Sequence, residues 1–190
     1  LFNYTRRASS VAHIGAIDLG GDNPIRIQSM TTTNTNDTEA CVRQAEEIIK
    51  AGGELVRFTT QGSREAENMK NINAGIRADG YQTPLVADVH FNPNVADVAA
   101  LYCEKVRINP GNYVDPARKF IKQEYTDEEY AHELQKIEER FVPFLNICKE
   151  NHTAIRIGVN HGSLSDRIRN RYGDTPEGIV ESCLEFLRIC

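Results

Sequence analysis

The chain has 190 residues, 40% hydrophobic and 26% charged, with a net charge of −5, a pI near 5.6 and a mean hydropathy of −0.47. That apolar content excludes a disordered chain, and the lack of any apolar run of about 18 residues excludes a membrane-spanning helix. The acidic balance disfavours nucleic acid and anionic membrane surfaces as partners.

Strand-like and helix-like segments alternate along the chain. Pro24 to Met30 reads as a buried strand, followed by the polar run Thr31-Thr32-Thr33. Asn36 with Glu39 predicts a capping box. The helix it opens carries Cys41, Ala45, Ile48 and Ile49 on one face and ends at Ala51-Gly52-Gly53. Leu55 to Thr59 is the second strand, and Ser63 can cap a helix with Met69, Ile72 and Ile76 on its buried face. Pro84 to Phe91 is the third strand. Asn92-Pro93 supplies an N-cap and a first-turn proline for a short helix bearing Val95, Val98 and Leu101. Val106 to Asn109 is the fourth strand.

Residues 112–130 then form a long charged connection (Asp115, Arg118, Lys119, Lys122, Glu124, Asp127, Glu128, Glu129). A connection this long in a domain is commonly functional. A helix from about Ala131 to Glu150 follows, with Leu134, Ile137, Phe141, Leu145 and Cys148 at helical spacing. Ala154 to Asn160 is the fifth strand. Thr175-Pro176 opens a last helix with Ile179, Val180, Cys183, Leu184 and Leu187 inward. That helix pattern reaches Cys190 without a cap or a Gly or Pro exit, and residue 1 is Leu, so a piece of a longer chain is expected. No charged leader followed by an apolar stretch is visible; the cysteine usage is that expected of a cytoplasmic protein.

Five strand–helix units in alternation predict a parallel α/β fold. No Gly-x-Gly-x-x-Gly follows the first strand, which weakens a dinucleotide-binding sheet. A whole (β/α)8 TIM-type barrel takes about 250 residues, and five eighths of that is about 156. The long connection adds about 25 more, close to the length present. The expected fold is therefore the N-terminal five βα units of such a barrel, incomplete at its C-terminal end. Its open strand edges predict poor solubility alone. The five cysteines (Cys41, Cys103, Cys148, Cys183, Cys190) contain no Cys-x-x-Cys pair and read as reduced, packed side chains.

The polar residues inside strands carry the functional signal. Residues two apart share a strand face. The second strand carries Arg57; the third places Asp88 and His90 together; the fourth Arg107 and Asn109; the fifth Arg156, Gly158 and Asn160. Each polar face lies toward the C-terminal strand end, where barrel active sites are built. Asp88 can neutralise only one of the three arginines. A lone strand-end arginine is more often a surface ion pair, but three at matching positions point to an anionic ligand. The planar guanidinium fork suits phosphate, and three suit more than one phosphate. Asn112, in the turn after Asn109, is placed for a ligand contact. Gln28, Ser29 and Met30 are weaker candidates, and His13, His132, His152 and His161 read as bystanders. No nucleophile–base pair or metal cluster is visible.

The stretches Pro24–Thr31, Leu85–Phe91, Arg107–Asn112 and Ile155–Leu164, with Arg57 in Leu55-Val56-Arg57, resemble the 4-hydroxy-3-methylbut-2-enyl diphosphate synthase family in order along nearly the whole chain. The resemblance covers the N-terminal part of that family's barrel domain. It implies an oxidoreductase of the non-mevalonate (MEP) isoprenoid pathway. Its substrate is 2-C-methyl-D-erythritol 2,4-cyclodiphosphate. The implied cofactor is a [4Fe-4S] cluster fed by flavodoxin or ferredoxin. In the family a separate C-terminal domain holds the cluster on three cysteines and a glutamate, and caps the barrel of the other subunit of a homodimer. By motif match, Arg57, Arg107 and Arg156 contact the diphosphate, while Asp88, His90, Asn109, Asn112 and Asn160 shape the site. The cluster motifs are absent from this sequence, so no cysteine here is assigned as a ligand, and this part alone is expected to be inactive. The long connection resembles the family's longer form, which carries an extra middle domain. A dihydropteroate synthase-like transferase is the alternative; the Arg107–Asn112 and Ile157–Asn160 segments fit it poorly.

Overall fold

The computed structural model describes residues 5, 7–116, 119 and 124–190; Leu1, and Arg118 and Lys122 of the charged connection, lie outside them. The first element is a hairpin absent from the sequence-based expectation. Strand β1 (Ala12–Ile14) pairs antiparallel with β2 (Ile17–Leu19). Gly15 opens its two-residue turn at φ +53, a conformation that glycine adopts without a Cβ penalty. There follow β3 (Gln28–Met30), α1 (Thr38–Lys50), β4 (Leu55–Thr60), α2 (Ser63–Ala78), β5 (Leu85–Val89), α3 (Pro93–Ala99), β6 (Lys105–Ile108), α4 (Asp127–Glu150), β7 (Ala154–Ile157), α5 (Asp166–Tyr172) and α6 (Pro176–Leu187).

Strands β3 to β7 form one parallel sheet in sequence order. A doubly wound sheet reverses its order at a switch point; here each strand lies beside its predecessor, as in a barrel wall. All five expected strands are present: the first, third and fifth are trimmed, the second gains Thr60 and the fourth shifts back by one residue. The first loses residues 24–27 because other partners take their polar groups. Arg26 donates to Asp18 O (2.8 Å) and to Glu54 Oε1 (2.8 Å), and Ile27 N donates to Glu54 Oε2 (2.8 Å).

Helix starts differ from expectation where a better cap competes. Asp37, not Asn36, caps α1, its Oδ1 accepting from Ala40 N at 3.0 Å. Ser63 is the first residue of α2 rather than its cap; the Glu65 carboxylate accepts from Gln61 N (2.7 Å) and Gly62 N (2.6 Å) instead. Asn92 and Thr175 cap α3 and α6 as expected. Helix α4 starts four residues before Ala131, because Thr126 and Glu129 form a reciprocal capping box. The acidic run Asp127-Glu128-Glu129 is thus a first helical turn, favourable at the positive end of the helix dipole. The connection accordingly narrows to 113–126.

The outer face of the sheet (Val56, Phe58, Ala87, Val89, Val106, Ile108) packs against Met69, Ile72, Ile76, Phe141, Phe144 and Phe186 of the helices, all buried. Each of these side chains larger than alanine contributes about 1.5–3 kcal/mol. The first expected strand is not buried, because β3 is the edge of the sheet: Ile25 (86%), Ile27 (60%) and Met30 (37%) are exposed, and so are the expected core residues Leu101 (49%), Val180 (55%) and Leu187 (50%). Leu101 lies past the end of α3, so the helical period no longer orients it. In α6 the inward face is Gly178, Ser182, Glu185 and Phe186. Phe186 fixes that rotation by packing edge-on against Phe141 (5.0 Å) and Tyr113 (5.7 Å). On the inner face, Ile14 of the hairpin packs on Leu55 and Val86, covering the N-terminal end of the sheet. No helix among the described residues is long and apolar enough to cross a membrane.

Candidate functional site

Residues paired across parallel strands share a face, so the register sorts the inner face into layers. One layer is Met30, Arg57, Val86, Lys105 and Ala154. The next, toward the C-terminal ends, is Thr59, Asp88, Arg107 and Arg156. His90 and Asn109 follow just beyond the strand ends. Arg57 therefore rises from one layer below the rim.

Asp88 is the hub. It is 2% exposed, and each of its oxygens takes an arginine. Arg57 Nη2 donates to Oδ2, and Arg107 Nη1 donates to Oδ1 at 3.0 Å. The carboxylate thus contacts two arginines, while its single charge offsets only one. Arg107 also donates from Nη2 to Gly158 O (2.5 Å) and from Nη1 to His90 Nε2 (3.1 Å). A guanidinium has no acceptor, so Nε2 must accept and the His90 proton sits on Nδ1. That Nδ1 is buried without a hydrogen-bond partner, 3.9 Å from Asp88 Oδ1. Burial lowers the Arg107 pKa from its ordinary value, and Asp88 works against that shift. Lys105, 7% exposed, is lowered by burial and further by Arg156 and Arg57.

Above this hub lies a cavity of about 470 Å3. Arg57, His90, Arg107, Asn109, Asn112 and Asn160, six of the eight expected site residues, line it, with Phe91 and Ser163. Asp88 lies beneath. Arg156 does not line it; this exposed side chain borders a cavity of about 430 Å3 at the β7 edge, beside Lys105. Gln28, Ser29 and Met30 do not line the rim cavity either. His161 pairs with Asp174 outside it, and His13 with Asp18 in the hairpin. A cavity as large as the first opens beside Gly15 and Tyr102, but there Glu104 is already paired with Arg77 at 2.8 Å.

Buried atoms without hydrogen-bond partners include Arg57 Nε, His90 Nδ1 and Asn112 Oδ1. Unpaired buried polar groups are costly, and the two donors suit a ligand rich in acceptor oxygens. Together with the surplus of cations over carboxylates on this face, the chemistry favours an anion.

Four residues outside the expected site set contribute, Gly158 among them although the alternation places it on the polar face of the fifth strand. A Cβ on Gly158 would sit 2.0 Å from Arg107 Nε, so only glycine lets that side chain pass. A Cβ on Gly111 would sit 1.7 Å from Ser163 O. Ser163 Oγ accepts from Asn109 Nδ2 at 2.8 Å, joining the two rim turns. Lys105 was legible in principle, since extending the alternation of Arg107 and Asn109 back by two positions reaches it.

Cys41, Cys103 and Cys148 are buried, Cys183 is half-buried and Cys190 exposed. Burial raises every one of these thiol pKa values, Cys148 to about 12. Among the described residues no group of three or more His, Cys, Asp or Glu side chains could hold a metal. These residues do not fit an iron–sulfur cluster.

The model of the GcpE TIM-barrel domain family matches residues 9–190. A Phocaeicola vulgatus protein named 4-hydroxy-3-methylbut-2-en-1-yl diphosphate synthase (flavodoxin) is 78% identical over 190 residues, covering 100% of this chain and 31% of that protein. Proteins of the same name from Bacteroides thetaiotaomicron and Parabacteroides distasonis are 77% and 68% identical, again over 31% of their lengths. The chain thus spans under a third of the relatives it matches.

Proposed function

Because the chain belongs to the GcpE TIM-barrel family, we propose that it is the substrate-holding part of a 4-hydroxy-3-methylbut-2-en-1-yl diphosphate synthase. The whole enzyme opens 2-C-methyl-D-erythritol 2,4-cyclodiphosphate. Two electrons and two protons enter, water leaves, and 4-hydroxy-3-methylbut-2-enyl diphosphate is formed. Flavodoxin or ferredoxin supplies the electrons to a [4Fe-4S] cluster carried by a part of the enzyme outside this chain, in a homodimer. The cluster supplies the reducing chemistry, and residues of this chain bind and orient.

Arg57 and Arg107 take the diphosphate oxygens. Arg107 is already fastened by Asp88 and the Gly158 carbonyl, so little side-chain freedom is lost on binding. Asn109, Asn112 and Asn160 present amides around the same cavity, and His90 offers Nδ1–H. Arg156 stands outside this cavity, at the β7 edge, so its contact with the diphosphate requires the side chain to turn inward.

The observation that carries this reading is the buried Asp88 bridging two arginines beneath a cavity at the C-terminal strand ends. Calorimetric titration of the full-length enzyme with the cyclodiphosphate tests it. Arg107→Ala is expected to weaken binding by about 2–3 kcal/mol, the worth of a charge-assisted hydrogen bond. Unchanged affinity removes Arg107 from the site.

A further inference from the structure

Behind the rim lies a second buried ionic cluster that the proposed substrate contacts do not use. Arg167, on α5, is 3% exposed; Asp115 is 9%, Glu185 4% and Tyr130 5%. Arg167 donates to both oxygens of Asp115 (Nε to Oδ1 3.3 Å, Nη2 to Oδ2 3.0 Å) and to both of Glu185 (Nη1 to Oε1 2.8 Å, Nη2 to Oε2 2.7 Å). Tyr130 OH donates to Glu185 Oε1. The guanidinium groups of Arg167 and Arg171 lie 4.7 Å and 4.2 Å from the centre of its ring, and Arg171 reaches on to Asp127 at 2.7 Å. Burial opposes the charge on Arg167, but the bonds from Glu185 and Asp115 outweigh it and raise its pKa.

This cluster joins three stretches distant in sequence. Asp115 stands three residues after Asn112, and Arg167 four after Ser163, the partner of Asn109. The backbones of Gly111 and Ser163 touch between them. The connection after β6 is held at both ends: Asp115 to Arg167 and Lys119 N to Asp166 Oδ2 (2.8 Å) on one side, Asp127 to Arg171 and Tyr130 to Glu185 on the other. Buried ion clusters seldom add stability over apolar packing, so the worth of this one lies in the geometry it imposes.

We propose that Arg167 is a positioning residue: by clamping Asp115 against Glu185 it fixes the two rim turns that carry Asn109, Asn112 and Asn160. The effect on substrate rests on the function proposed above; the effect on the turns does not. The test uses the full-length enzyme carrying Arg167→Lys, which keeps the charge but loses the fork, or Asp115→Asn, which keeps the shape but loses the charge. Ile72→Val, in the helix-side core, serves as a control for general destabilisation. Hydrogen exchange is followed over residues 109–116 and 158–167, and binding of the cyclodiphosphate by calorimetry well below the melting temperature. Both cluster variants are expected to exchange faster in both turns and to bind roughly ten- to a hundredfold more weakly, while Ile72→Val binds as wild type. Wild-type exchange in the turn opposite the substitution, or wild-type affinity in both cluster variants, overturns the proposal. If the unaltered enzyme does not bind the cyclodiphosphate, the substrate reading fails, and the exchange data alone still decide whether the clamp exists.

Discussion

Gly158 is the tightest constraint in the site, because the Arg107 side chain passes where its Cβ would be. Gly158→Ala is therefore expected to displace Arg107 from Asp88 and weaken substrate binding roughly as much as removing Arg107, about 2–3 kcal/mol. Calorimetry beside a thermal melt checks this; wild-type affinity would show that Arg107 can re-route. Lys105 makes the opposite case. It faces the like charges of Arg57 and Arg156, with no ion-pair partner among the described residues, and its pKa lies below the ordinary 10.5. Between the lowered value and 10.5 the unfolded chain binds more protons, so stability rises with pH across that window. In this chain Lys105→Met is expected to be more stable at neutral pH, by about 1 kcal/mol. The advantage shrinks as pH climbs toward 10.5. Denaturant melts at several pH values read it, and a destabilised or pH-independent variant contradicts it. Strand alternation made Arg57, Asp88, His90, Arg107 and Asn109 legible in the sequence. It could not show that Arg156 turns to the sheet edge, or that Gly158 is a passage, since both depend on contacts between strands.

At the scale of elements, long helices with a sustained apolar period were legible: Met69, Ile72 and Ile76 on α2, and Ile137, Phe141 and Cys148 on α4, are buried as their spacing demands. Short elements were not. The seven residues of α5 complete under two turns, too few for a period to declare itself, and β1 and β2 have three residues each. The hairpin left one trace, Gly15-Ala16 between two apolar pairs. Helix starts went astray where several capping residues stood together, as at Asn36-Asp37. The start of α4 is the one with a direct consequence, since it decides how much of the acidic run belongs to the helix. Thr126→Ala is expected to cost about 1 kcal/mol, the usual worth of a cap. A shift in denaturation midpoint measures it, and no shift would mean that Glu129 alone sustains the first turn.

On the scale of the whole molecule, the sheet has two open edges, at β3 and β7. Beside β3 stand Ile25 (86% exposed) and Ile27 (60%), and along α6 near β7 stand Val180 and Leu187. Unpaired strand edges flanked by apolar side chains invite association. The chain alone is expected to self-associate in sedimentation velocity; a monodisperse monomer contradicts that. The barrel reading itself was legible from strand count and length, because parallel βα units have a nearly fixed size. The central claim is that the inner face of this sheet holds a diphosphate on Arg57 and Arg107. A crystal structure of the full-length enzyme with 2-C-methyl-D-erythritol 2,4-cyclodiphosphate tests it most directly. The account predicts phosphate oxygens within hydrogen-bonding distance of both guanidinium groups, with Asp88 still bridging them from below. Phosphates bound away from both arginines would contradict it.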